Sequence, residues 1–360
     1  AMTKTREGTL VLSATNTFEG LNVTAGKVRA ESSSALGASG VSLTDGTTLE
    51  FDGGLSVSNT ITIGLGDATL GLPTGSTTLL AAIGGTGSAT KTGTGTLTLS
   101  GANSYDGLNV SEGEVIAGAS TALGSGSVIL SGGVTLGLSS GVSASNAISL
   151  SANNQTLSVP SGSATLSGVV SGSSILEKTG DGTVTLSGVN TFGRLNGEAA
   201  LESLRVSAGG VTAGNNSGLG SGFVTLTDAT ELSLADTISV SNRLVLELGG
   251  QTLSVSSGTA TLAGDIDGSG YATKTGSGTL VLSGVNTSEG MNINAGELTA
   301  AASTSLGSGT ISIADGATLG LGSGVSLSNS VVLASGDENV SVTVGTGTLS
   351  GVISGSGNFS

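Results

Sequence analysis

One block of sequence recurs four times along the chain, and that recurrence limits the fold more than any other feature. Lys91-Thr92-Gly93 precedes Gly95-Thr96-Leu97-Thr98-Leu99-Ser100-Gly101, and Lys178-Thr179-Gly180 precedes Gly182-Thr183-Val184-Thr185-Leu186-Ser187-Gly188. Lys274-Thr275-Gly276 precedes Gly278-Thr279-Leu280-Val281-Leu282-Ser283-Gly284, and Lys4-Thr5 precedes the looser first copy, Gly8-Thr9-Leu10-Val11-Leu12-Ser13. The lysines step by 87, 87 and 96 residues. Asn16, Asn103, Asn190 and Asn286 keep the same register, as do Asn59, Asn146, Asn242 and Asn329, and Leu36, Leu123, Leu219 and Leu306. The longer step places an insertion at Arg194–Ser203, after which Leu204-Arg205-Val206 resumes the place of Leu108-Asn109-Val110. Like units in series build a single array rather than several unrelated domains. The repeats are 4–90, 91–177, 178–273 and 274–360.

Inside each unit the hydrophobic period is two. Thr96-Leu97-Thr98-Leu99, Ser127-Val128-Ile129-Leu130 and Thr252-Leu253-Ser254-Val255 alternate, or nearly alternate, small polar and aliphatic residues between Gly, Asn, Asp or Ser, the pattern of short β-strands. The best helical stretch, Glu198–Leu204, is too short to stand alone. A sandwich or barrel also fits strands at this spacing, but it needs dissimilar edges and corners, whereas a solenoid needs each coil to resemble the next. The expected fold is therefore all-β, a parallel β-helix (β-solenoid). At about 20 residues per coil each unit holds about four coils. About 16 coils spaced ~4.8 Å apart make an elongated rod of about 75–80 Å. Gly, Ser and Thr supply 171 of the 360 residues, so small side chains face outward and glycine serves the corners.

Composition also removes much chemistry. The chain has no His and no Cys, which excludes imidazole bases, thiolate nucleophiles, disulfides and Cys-ligated metal sites. A net charge of −15 speaks against nucleic acid as a partner. Gly137-Leu138-Ser139-Ser140-Gly141 fits the hydrolase elbow G-x-S-x-G, but it has neither a helix to follow nor a His. Ser88-Ala89-Thr90-Lys91 fits S-x-x-K and Lys-Thr-Gly occurs three times, both elements of β-lactamases; here they open the repeats, with the lysine expected along the surface of a turn. Asp265 and Asp267 are the densest candidate for weak calcium binding, without the full spacing of a calcium loop; Asp337-Glu338 and Asp45 with Glu50 and Asp52 are weaker. No catalytic residue, cofactor or metal ligand is assigned, and the chain is expected not to be an enzyme.

The block from Lys91 to Gly107, and its counterpart from Lys178 to Phe192, closely resemble the passenger-associated repeat of Gram-negative autotransporters, the type V secreted proteins. Two departures stand out. Arg6 replaces the motif glycine in the first unit, and Ser288 stands where Phe18, Tyr105 and Phe192 supply an aromatic, which should loosen that coil. The resemblance implies a right-handed parallel β-helical passenger, displayed at the outer-membrane cell surface and anchored through a C-terminal membrane β-barrel. Ala1-Met2 reads as a cloning remnant, and Ser354–Ser360 stops where the next Lys-Thr-Gly would begin, so the expectation is a fragment of a longer passenger.

The expected function is adhesion by homotypic self-association between cells, as in autoaggregation and biofilm, or attachment to a host surface receptor. The alternative is a non-binding stalk that presents a distal effector domain. Candidate interaction residues are Arg194, Asn196, Glu198 and Glu202 in the insertion, with Asn215 and Asn216 close after it; the insertion equally reads as a tolerated length variant. The repeated asparagines are expected to cap coil corners.

Overall fold

The computed structural model describes residues 1–151, 154–193, 195–196 and 199–359. They fall into two compact units, Ala1–Leu176 and Glu177–Ser360. Among the described residues the chain is all-β, without a helix, and its parallel sheets form a β-solenoid of about 16 turns. No helix among them is long and apolar enough to cross a membrane.

In the first unit, strands Thr9–Leu12, Lys27–Ala30, Thr48–Phe51, Asp67–Gly71, Ser88–Thr92, Gly107–Val110, Val128–Leu130, Ile148–Leu150 and Val170–Gly172 follow one another in a single parallel sheet. In the second unit a parallel ladder runs from Thr183–Leu186 through Gly210–Ala213, Glu231–Leu234, Gly250–Ser254 and Tyr271–Thr275 to Gly290–Ile293 and Thr310–Ile313. Each strand pairs with the strand one turn later in the chain, so the side-chain period of two becomes columns. Leu97 lies beside Val115, and Val115 beside Leu136 and then Leu157; all four are at most 1% exposed. Complete burial of one such aliphatic contributes about 1.5–3 kcal/mol. The same column repeated at every turn is a core that short strands and small residues can build.

The corners are held as the sequence leads one to expect. Asn59 donates to the Gly37 carbonyl at 3.1 Å, and Asn146, Asn242 and Asn329 repeat this on Gly124, Gly220 and Gly307 at the same distance. Asn103 accepts from the Ile83 amide at 2.7 Å and donates to the Ala122 carbonyl at 2.6 Å. Asn286 accepts likewise from Ile266 at 2.7 Å. A backbone that turns sharply away from sheet pairing leaves amides and carbonyls to be satisfied, and a short amide side chain serves both.

The aromatics of the repeat motif pack under a glycine of the next turn. Gly124 has φ +81°, and a Cβ there would lie 2.7 Å from the Tyr105 ring. Gly220, also at φ +81°, sits over Phe192 in the same way. Ser288 occupies this place in the fourth repeat, fully buried, with no hydrogen bond for its hydroxyl among the described residues.

Candidate functional site

The lysines of the Lys-Thr-Gly motifs are not surface residues. Lys91, Lys178 and Lys274 are each 0% exposed, which corrects the expectation that they lie along a turn. Lys91 stands in the aliphatic column itself, between Leu70 on one side and Val110 on the other, and Lys274 stands between Leu253 and Ile293. The four-carbon stem fills a core position, and the ammonium reaches the corner, where carbonyl oxygens receive it.

Those oxygens form a cradle of fixed composition. Lys91 Nζ donates to the carbonyls of Thr92 at 3.1 Å, Gly93 at 2.6 Å and Glu112 at 3.2 Å. Lys178 donates to Thr179 at 2.9 Å, Gly180 at 2.8 Å and Ala208 at 3.1 Å. Lys274 donates to Thr275 at 2.8 Å, Gly276 at 2.9 Å and Ala295 at 3.0 Å. Two carbonyls come from the Lys-Thr-Gly motif itself and the third from the next coil, so the ammonium uses all three of its protons and joins two turns. The motif glycine explains itself here. Gly93, Gly180 and Gly276 have φ of +79°, +77° and +76°, which turns their carbonyls toward the lysine. Burial pulls each of the three ammonium groups down from the ordinary lysine value to about 8, with a small opposing pull from Glu112 at Lys91 and from Asp181 at Lys178. In the first repeat Lys4 donates to the carbonyls of Ala25 at 3.0 Å and of Arg6.

This placement also separates Ser88 from Lys91. They lie on one strand with Lys91 buried inward and Ser88 on the opposite face, so the S-x-x-K spacing brings no nucleophile to its base. Of the carboxylates, Asp265 accepts from the Val285 amide at 2.8 Å, and Asp267 accepts from Thr287 Oγ1 at 2.8 Å and from Arg243 Nε. The Arg243 hydrogen bond holds the Asp267 carboxyl below its usual range. Asp45 accepts from the Asp67 amide, Glu50 pairs with Lys27 at 2.6 Å, and Asp52 pairs with Arg29 at 2.7 Å. Among the described residues no three such groups are placed to hold a metal.

Of the candidate interaction residues, Arg194 and Glu198 lie outside the described residues. Leu195–Asn196 pairs antiparallel with Ala199–Ala200, and Glu202–Val206 is a strand, so the described residues where the sequence has its best helical signal form strands. Glu202 opens the strand Glu202–Val206, with Oε1 3.6 Å from Arg205. That strand pairs Leu204 with Val224, just as Leu108 pairs with Val128, so the register resumes where the repeat placed it. Asn215 accepts from the Ser217 amide at 3.0 Å, and Asn216 from the Ser239 amide at 2.8 Å. The latter is a capping bond that Ser33, Ser120 and Ser303 make in the other repeats.

Sequence reading names Asp267 but passes over the group that it forms with Phe223 and Arg243 near Asn216. Phe223, Arg243 and Asp267 stand where the first repeat has Gly40, Thr60 and Gly84. The Arg243 guanidinium lies over the Phe223 ring, 5.6 Å from its centroid. On the same sheet Arg205 pairs with Glu247 at 2.5 Å, where the first repeat has Asn22 and Gly64. The signal in the sequence is a large or charged residue at register positions that are small elsewhere.

The passenger-associated-transport-repeat family matches residues 2–30, 90–117, 176–195 and 273–300. Lys4, Lys91, Lys178 and Lys274 each lie in one matched segment; the second and fourth segments also hold the whole carbonyl cradle, whereas the third ends before Ala208. No curated protein matches the chain, and no solved structure matches it. Four such repeats set on the coils of a parallel β-solenoid fit the passenger domain of an autotransporter.

Proposed function

We propose that this passenger segment acts in adhesion at the bacterial cell surface, by homotypic self-association between cells, and that it is not an enzyme. The repeat family suggests a secreted or cell-surface protein of a Gram-negative bacterium. The observation that carries the reading is the outward-facing half of each strand. Thr48, Thr69, Thr90 and Asn109 stand in register on successive turns of the first unit; in the second, Thr252, Thr273 and Asn292 hold the places of Thr69, Thr90 and Asn109, and Ser312 follows them. Runs of hydroxyl and amide groups on successive turns offer many weak hydrogen bonds to a second copy. Multivalent display on two cells turns weak contacts into firm attachment.

Charge works against this contact. With 25 acidic and 10 basic residues, two copies repel unless their carboxylates are paired or screened. At about 0.1 M salt the Debye length falls to about 10 Å, so moderate salt should strengthen the association. Sedimentation velocity over a wide concentration range, at low and moderate salt, tests the proposal. Reversible assemblies that grow with concentration and salt support it. A chain that stays monomeric throughout, or assemblies that salt weakens, would overturn it. The monomeric outcome would favour a stalk that presents a distal effector domain.

A further inference from the structure

The corner beneath Asn59 in the first repeat recurs beneath Asn242 in the third, and the two are not alike. Each is an open concavity between successive turns, of about 340 Å³ in the first repeat and about 370 Å³ in the third. The positions that line it correspond one for one. Ser39, Gly40, Asn59 and Thr60 in the first repeat become Gly222, Phe223, Asn242 and Arg243 in the third. Elsewhere in the register the Phe223 position is Ser127 or Thr310 and the Arg243 position is Ala147 or Ser330. Only the third repeat places a ring and a guanidinium there, and it is also the repeat that carries the insertion. The insertion returns to the coil at this groove, where the Phe223 amide donates to the Leu201 carbonyl at 3.2 Å.

The third-repeat groove is pre-organised. Arg243 is held from two sides, by the Asp267 carboxylate at Nε and by the Phe223 ring beneath its plane, yet its side chain is 52% exposed. Asp267 is itself fixed by Thr287 Oγ1 at 2.8 Å. Asn242 spends its amide on the carbonyls of Gly220 and Gly222, at 3.1 and 2.6 Å, which sets the floor. Asn216 uses its carbonyl oxygen on the Ser239 amide, and its NH2 has no bond among the described residues. Arg243, Asn216, Ser217 and Ser241 therefore line one groove together with the Phe223 ring.

We infer that the groove lined by Phe223, Arg243 and Asn216 binds a neutral saccharide. Paired N–H donors and hydroxyls match the vicinal hydroxyls of a sugar, and a phenyl ring matches its C–H face. The concavity lies within the ordinary size of small-ligand sites, about 300–1,000 Å³. Side chains already held in place lose little freedom on binding. The Asp267 carboxylate paired with Arg243 at the groove, within a chain of net charge −15, disfavours an anionic ligand. The inference stands apart from self-association, since it needs only one copy of the chain.

The test is saturation-transfer NMR with three neutral probes (lactose, maltotriose and N,N′-diacetylchitobiose) and a heparin-derived disaccharide as the acidic one. The expected result is transfer to at least one neutral probe, with a Kd on the order of 1 mM. The double substitution Phe223→Gly with Arg243→Thr installs the residues of the first repeat, which forms the same corner, so the fold should hold by circular dichroism. It should weaken binding about tenfold or more, the size of effect expected when anchoring side chains are lost. Asp267→Ser, the residue of the second repeat at this place, frees Arg243 and should weaken binding several-fold. No transfer to any neutral probe, equal transfer in the double variant, or transfer to the acidic disaccharide alone would overturn the inference.

Discussion

The ammonium of Lys91 lies 2.6 Å from the carbonyl oxygen of Gly93, at the corner, while the residue itself stands in the column of aliphatic side chains that forms the core. Equivalent bonds join Lys178 to Gly180 and Lys274 to Gly276. A lysine at a core position removes hydrophobic burial at one turn per repeat. What it gives in return is a join: three carbonyls from two consecutive turns meet one cation.

Replacing Lys91 by methionine keeps the stem and removes the donors. The carbonyls of Gly93 and Glu112 then lose the lysine, while that of Thr92 keeps the Leu72 amide at 3.0 Å; an acceptor left unpaired away from water costs about 1–3 kcal/mol. Lys91→Met should lower stability in urea by about that amount, and speed hydrogen exchange first at the turn around Glu112. A variant as stable as the parent chain would show that the cradle is incidental.

Stability should rise with pH between about 8 and the ordinary lysine value near 10.5. Below about pH 8 both folded and unfolded chains carry the ammonium, and the folded chain bears the cost of burying it. Between the two values the folded chain has released a proton that the unfolded chain still holds, so rising pH favours the folded state. This gain is complete above 10.5 and is lost as pH falls through 8. The neutral amine keeps two N–H donors for its carbonyls, which distinguishes deprotonation from the methionine substitution. Urea midpoints at pH 7.5, 9 and 10 give the check, and a midpoint that falls steadily over this range contradicts it.

Ser288 leaves a place that a ring (Phe18, Tyr105 or Phe192) fills in the three other repeats. In the second repeat Tyr105 is wholly buried and its hydroxyl lies 3.3 Å from the Ala122 carbonyl. The fourth repeat retains the glycine above the site, Gly307 at φ +65°. Ser288→Tyr should therefore stabilise the chain by about 1–2 kcal/mol through apolar burial. A fall in Tm on this substitution would mean that the fourth repeat has closed over the missing ring.

Thr237 has φ +65°, where Gly54, Gly141 and Gly324 stand at φ +87°, +82° and +76° in the other repeats. A β-branched residue in this region carries about 1–2 kcal/mol of strain, and glycine returns part of that as backbone entropy. Thr237→Gly should raise stability by about 0.5–1 kcal/mol, measured by urea unfolding. An unchanged or lower midpoint would refute the strain at this turn.

Much of the fold was legible because repeat and period agree. Thr96-Leu97-Thr98-Leu99 has one possible inward face, and its recurrence dictates stacking on a like strand. The corner asparagines were legible for the same reason, since a short amide at a fixed place in every repeat is a capping pattern. The lysines were misplaced because charge was allowed to outweigh phase. In Ser88-Ala89-Thr90-Lys91-Thr92, Ala89 and Lys91 share a phase, and the alternation alone puts both inward. The antiparallel pairing of Leu195–Asn196 with Ala199–Ala200 is not legible in a stretch of Ala and Glu, which favour a helix in isolation. Phe223 and Arg243 escaped notice because a ring or a cation draws attention by its neighbours in sequence, and these two meet only across turns.

The most direct test of the account is an NMR pH titration of the lysine Nζ groups, with signals assigned by single Lys→Met substitutions. Lys91, Lys178 and Lys274 should lose their protons near pH 8, with ammonium hydrogens protected from solvent exchange below it. Rapid exchange and titration of all three at the ordinary lysine value near 10.5 would contradict the buried cradle, and with it the physical reading of the repeat.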